Sequence, residues 1–101
     1  MALSKPQLSE LLSVYGATLT EIQRYAITMY CDYDCSLSEI AVERGVTRQG
    51  VRDAIVKAEA SLVKLEENLH LAQFCRNLTV ALDNSDTNQL KQLVKQYVSK
   101  E

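Results

Sequence analysis

The sequence predicts an all-helical fold built around a helix-turn-helix at residues 37–56. Capping residues stand ahead of each apolar run, and the chain holds only three Gly and one Pro in 101 residues. No alternating apolar run bounded by turn signals argues for a strand. The length supports one helical domain, residues 1–101, with a modest core.

The first helix is expected over Lys5 to Tyr15. Ser4 and Gln7 have the spacing of a capping box, and Pro6 is tolerated in a first turn. Leu8, Leu11, Leu12 and Tyr15 give it one apolar face, and Gly16 ends it. The second helix starts after Thr20, with Gln23 at the third position and Ile22, Tyr25, Ala26, Met29 and Tyr30 as its face. CDYDC, from Cys31 to Cys35, reads as a loop.

The run LSEIAVERGVTRQGVRDAIV, Leu37 to Val56, carries the most information. Ser36 and Glu39 form a capping box for a short third helix that ends near Arg44. Gly45 sits where a tight turn needs a positive backbone angle. Thr47 can cap a fourth helix beginning at Arg48, where Val51 and Ile55 repeat at helical spacing. A short helix, a glycine turn and a capped second helix suit an element that enters the major groove. An ordinary helical hairpin shares the apolar pattern; the glycine and the caps together favour nucleic-acid recognition.

Charge supports that reading by its distribution. The net charge is −2, adverse for a nucleic-acid binder. Residues 1–43 sum to −4 and residues 65–101 to −1. Residues 44–64 sum to +3, with Arg44, Arg48, Arg52, Lys57 and Lys64 against Asp53 and Glu59. The only basic segment therefore coincides with the candidate recognition helix, where phosphate contacts need it.

At about 100° per residue, Gln49, Arg52, Asp53, Val56 and Lys57 point away from a buried stripe centred on Val51, and Arg48 flanks it. Arg48 and Arg52 are candidates for bidentate bonds to guanine, Gln49 for adenine and Val56 for a thymine methyl. Thr47 with the helix N-terminus, and Lys57, are candidates for phosphate. Ordinary surface residues would show the same pattern, and Asp53 opposes tight phosphate binding. Arg44 stands where such motifs carry a large apolar residue. Its stem can pack while its guanidinium reaches solvent.

Val51, Ile55, Ala58, Leu62, Leu65, Leu69 and Ala72 step by 4, 3, 4, 3, 4 and 3, a heptad seam. Such a helix projects beyond a small core and needs cover, from the C-terminal helices or from a second copy of the chain. The seam favours a symmetric homodimer. A C-terminal extension, residues 71–101, follows. Leu71, Phe74, Cys75, Leu78 and Leu82 form one face, Asp83 to Asp86 a turn, and Leu90, Leu93, Val94 and Tyr97 a last face.

Cys31, Cys35 and Cys75 are an odd set without a signal sequence, which argues for free thiols. With His70 the only histidine, zinc is not expected, and neither is any other metal or cofactor. No phosphate loop and no nucleophile–base pair is visible, so catalysis is not expected. The N-terminus lacks a secretory pattern and no stretch is apolar enough to span a membrane. The chain is expected to be soluble and cytoplasmic.

Beyond these patterns, residues Tyr15 to Leu71 resemble the YlxM family of helix-turn-helix proteins. The resemblance rests on YG before LTEIQR, on the acidic aromatic loop before SLSEIA, on VTRQGV, and on the closing LEENLHL. SEIA and VTRQGV are also similar to region 4 of sigma factors. The resemblance implies an all-helical, sigma-region-4-like fold. It also implies action in or on the signal recognition particle pathway, because the family's genes adjoin those for the particle's GTPase components. Departures are the two loop cysteines, Arg44 before the glycine, and Gly50, which costs a helix about 1 kcal/mol relative to Ala. Two functions remain: a DNA-binding regulator, or a non-catalytic protein that docks on the particle's GTPase or RNA.

Overall fold

A computed structural model describes residues 1–99 of the chain. They form six α-helices and one 3-10 turn: α1 (Lys5–Tyr15), the turn Gly16–Thr18, α2 (Glu21–Cys31), α3 (Leu37–Arg44), α4 (Arg48–Leu69), α5 (Leu71–Asp83) and α6 (Thr87–Val98). The fold is all-helical, as the caps require, with no strand among the described residues. The sequence reads as one domain with an extension from residue 71. The contacts group the chain into two compact units, Met1–Asn68 and Leu69 onward.

In the first unit each short helix begins at a reciprocal capping box: Ser4 with Gln7, Thr20 with Gln23, and Ser36 with Glu39. Each box satisfies two amide donors that the helix start would leave unpaired. The core takes its large, fully buried side chains from all four helices: Leu8, Ile27, Ile40, Val51, Ile55 and Leu62. Burial of each stabilises the unit by about 1.5–3 kcal/mol. Ile27 lies outside the face expected for α2, of which only Ala26 is fully buried; Ile22, Tyr25, Met29 and Tyr30 are half-buried. The stripe that meets the core is thus rotated toward Ile27.

Gly16 departs from its expected role. Its backbone is right-handed, with φ −56°, and the chain runs on into the 3-10 turn rather than reversing through a left-handed residue. Its small size matters instead: a Cβ there would lie 3.1 Å from Leu12 Cδ1. Gly45 behaves as expected, with φ +71°. No neighbour would crowd a Cβ there, so the backbone angle alone calls for glycine.

The loop between α2 and α3 is fastened to α1. Lys5 pairs with Asp34 and lies 4.7 Å from the Tyr30 ring centre, while Ser9 Oγ donates to Asp32 Oδ1 at 2.6 Å. Hydrogen bonding to Lys5 holds the Asp34 carboxyl below its ordinary 3.8, and the Ser36 amide does the same for Glu39 below 4.5. Both groups therefore stay charged in the folded chain at a pH where the unfolded chain takes up protons. Their contribution to stability is complete above the ordinary values and is lost as pH falls through the lowered ones. A carbon-detected titration should place the Asp34 midpoint below 3.8 and the Glu39 midpoint below 4.5; ordinary midpoints would mean that the loop fastening and the cap are not held in solution.

The second unit is a helical hairpin. Phe74, early in α5, stacks on Tyr97, late in α6, with ring centres 4.3 Å apart, so the helices are antiparallel. Asp86 caps α6, its carboxylate accepting from Gln89 N at 2.9 Å. Asp83 still belongs to α5, and the reversal is confined to Asn84–Asp86, with Ser85 at φ +54°.

The heptad seam does not run on one helix to its end. His70 adopts φ +54° and separates α4 from α5, so Ala72 belongs to α5. Of the remaining positions, Val51, Ile55, Ala58 and Leu62 are fully buried within the single chain, Leu65 is half-buried, and Leu69 is exposed. The first four are therefore covered by the chain's own helices and present no surface to a second copy.

Candidate nucleic-acid interface

The start of α4 is fixed from both sides. Gly45 turns the chain out of α3, its amide bonding back to Ala41 and Val42. Thr47 Oγ1 then accepts from Gly50 N at 3.0 Å and closes the first turn of α4. Gly50 has a reason to be small here: a Cβ would lie 3.1 Å from that hydroxyl oxygen. Because the oxygen is engaged by Gly50, a phosphate at this end would draw on the hydroxyl proton and on the amides of Arg48 and Gln49.

Thr47, at the cap of α4, and Arg48, Gln49, Arg52, Val56 and Lys57, on its first three turns, are all exposed. Burial of Val51, Ala54, Ile55 and Ala58 on the opposite side leaves them no other orientation. Arg48, Arg52 and Lys57 have no ion pair among the described residues. Gln49 is not equally available: its Nε2 donates to Asp53 Oδ1 at 2.9 Å. This bond offsets part of the Asp53 charge and orients the amide along the helix.

Two other charges in the basic segment are used inside the fold. Arg44 pairs with Glu21 and lies 4.7 Å above the Tyr25 ring, a cation–π arrangement that clamps α3 to α2. Its stem packs as expected, but its guanidinium is engaged by protein rather than left for phosphate. Glu59 is buried, accepting from Leu3 N at 2.7 Å and Ala2 N at 3.2 Å. The exposed balance on the N-terminal half of α4 is thus three cations against Asp53. A carboxylate between Ala58 and Ala60 gives no sign of burial in the sequence, so the role of Glu59 was not foreseen.

The cysteines are free. Burial and the neighbouring Asp32 push the Cys31 thiol up to about 11, so it is a poor nucleophile at neutral pH. No helix among the described residues is long and apolar enough to cross a membrane.

A short helix, a left-handed glycine and a capped helix whose outer face is cationic define a helix-turn-helix protein. The chain belongs to the UPF0122 family, described as "Putative helix-turn-helix protein, YlxM / p13 like", whose profile matches residues 4–100. It is 40% identical over 91 residues to a UPF0122 protein of Mycoplasma capricolum, covering 88% of this chain and 80% of that one. Identity to a UPF0122 protein of Clostridium kluyveri is 40% over 72 residues, 71% and 65% of the two chains. Identity to one of Lacticaseibacillus casei is 43% over 65 residues, 64% and 58%. The YlxM resemblance read from Tyr15 to Leu71 is thus matched by a family profile that spans nearly the whole chain.

Proposed function

We propose that this chain is a non-catalytic, cytoplasmic nucleic-acid-binding protein, a DNA-binding regulator that presents the first turns of α4 to the major groove. The observation that carries the reading is the trio Arg48, Arg52 and Lys57, exposed on the second helix of the motif and unpaired among the described residues. In this reading Arg48 and Arg52 bond guanine edges and Val56 meets a thymine methyl. Thr47 and Lys57 hold phosphates. Gln49 reads adenine only after releasing Asp53, a local competition that weakens its discrimination. In this reading the chain acts in or on the signal recognition particle pathway, as the YlxM resemblance implies.

A second reading has one observation of its own. Val42, on the outer side of α3, is 83% exposed, and Val46 in the turn is also exposed. Phosphate has no use for such residues, whereas a protein surface does. This favours docking on the particle's GTPase.

The two are separated by titrating the chain with duplex DNA and with signal recognition particle RNA at two salt concentrations. With Lys57 as the one cation assigned to phosphate, the slope of log affinity against log salt should be near −1 for the duplex. RNA binding without DNA binding would move the proposal to the particle's RNA. Binding to neither would overturn the groove-reading role and leave the protein-docking surface.

A further inference from the structure

The line of α4 that lies farthest from the core is not cationic. With Val51 as the centre of the buried stripe, Gln49 and Asp53 fall within about 20° of the opposite direction at about 100° per residue. Both are exposed. Arg52 leaves the helix about 80° to one side of this line, and Lys57 about 60° to the other. A helix that lays this side in the major groove therefore points Gln49 and Asp53 at the base edges, with a cation on either flank. Gln49 Nε2 donates to Asp53 Oδ1 at 2.9 Å. The ionised carboxylate only accepts, so the amide turns its nitrogen to Asp53 and its oxygen away. Asp53 has no ion pair among the described residues, not even with Lys57 four positions on. The pair thus offers two free acceptors, Gln49 Oε1 and Asp53 Oδ2, against one remaining amide N–H.

Resting on the groove-reading role of α4, we propose that Asp53 is a specificity-determining residue that selects cytosine. Its carboxylate accepts a hydrogen bond from the exocyclic N4 amine, and Gln49 holds the carboxylate in place. In the major groove cytosine presents a donor and no acceptor. Guanine presents two acceptors, thymine an acceptor and a methyl group, and adenine an acceptor beside its donor. A carboxylate is repelled by each of those acceptors, so Asp53 rejects three bases as well as accepting the fourth. It also repels the phosphate backbone wherever no cytosine compensates, which lowers affinity for unrelated duplex. Gln49 then has a different part from bidentate reading of adenine: one N–H is committed to Asp53, and the oxygen adds a second acceptor on the same line. With guanine contacts from Arg48 and Arg52, the ligand is a duplex whose contacted centre is rich in G·C pairs.

The test is selection from a duplex DNA library with a randomised centre, using the full chain and its Asp53→Ala and Asp53→Asn variants, followed by titration of single duplexes. Sites selected by the parent should carry cytosine at one fixed position, and replacing that base pair should cost roughly 5- to 150-fold in affinity. Asp53→Ala should keep the rest of the site, lose the preference at that position and bind unrelated duplex more tightly. Asp53→Asn should move the preference to adenine, whose N6 and N7 an amide bonds together. Asp53 is exposed, so both variants should keep the parent's helical circular dichroism. Parent and Asp53→Ala selections with the same base at every position would overturn the assignment and leave the groove-reading role of α4 intact. An equal loss of affinity for all duplexes in Asp53→Ala would overturn it too, because the bond to Gln49 would then serve only the helix. A parent that enriches no sequence would overturn the groove-reading role, and the assignment with it.

Discussion

Leu62→Ala lowers the unfolding free energy of the first unit by about 2–5 kcal/mol, whereas Leu65→Ala, three residues on in the same heptad, lowers it by less than about half as much. Leu62 is fully buried among side chains of the single chain, and the alanine leaves a cavity that a four-helix core refills only in part. Leu65 is half-buried, so less contact is lost and water already reaches the site. Urea unfolding followed by circular dichroism reads both values. The contrast is the informative part. A heptad seam packed along its whole length against another helix would make the two substitutions equal, and equal losses would place a cover over Leu65 that one chain does not provide.

The double variant Arg48→Ala, Arg52→Ala abolishes sequence-specific binding if α4 reads a groove. Each arginine that bonds a guanine contributes about 1–3 kcal/mol of discrimination. That range corresponds to roughly 5- to 150-fold in affinity for each single variant. Lys57→Ala acts differently: it weakens all sequences alike and reduces the salt slope by about 1, the signature of one phosphate contact. The three side chains are exposed, so the variants should keep the parent's helical spectrum and stability. Arginine variants that bind as well as the parent would remove α4 as a reading element and leave the apolar residues of α3 as the surface to explain.

The fold was legible because its signals are local. The bounds of α1, α2 and α3 follow from capping residues spaced three apart, and Gly45 marks the turn by a backbone angle that few residues other than glycine adopt. The break at His70 was not legible, since a histidine in the left-handed region carries no such mark and the apolar period continues through it. The outward face of α4 could be read from periodicity alone, whereas its electrostatics were readable only in part. Gln49 and Asp53 stand four apart, a spacing at which a hydrogen bond can be anticipated. Arg44 and Glu21 are 23 residues apart, and Glu59 meets amides more than 55 residues away. Pairings of that range depend on how the helices stack, which no local pattern encodes.

The unequal burial along α4 has a consequence for how the protein opens. Amides between Val51 and Leu62 back onto fully buried side chains, so their hydrogens should exchange with solvent only when the whole first unit unfolds. Amides beyond Glu66 belong to a helix end that stops at a left-handed residue, and should exchange through fraying of a single turn. One continuous helix would then show two protection classes, divided near Leu65. The slow class includes Val51 to Val56, within the reading segment, so that part of α4 is rigid before any ligand arrives. A nucleic acid that docks there would pay little ordering entropy in that stretch of backbone.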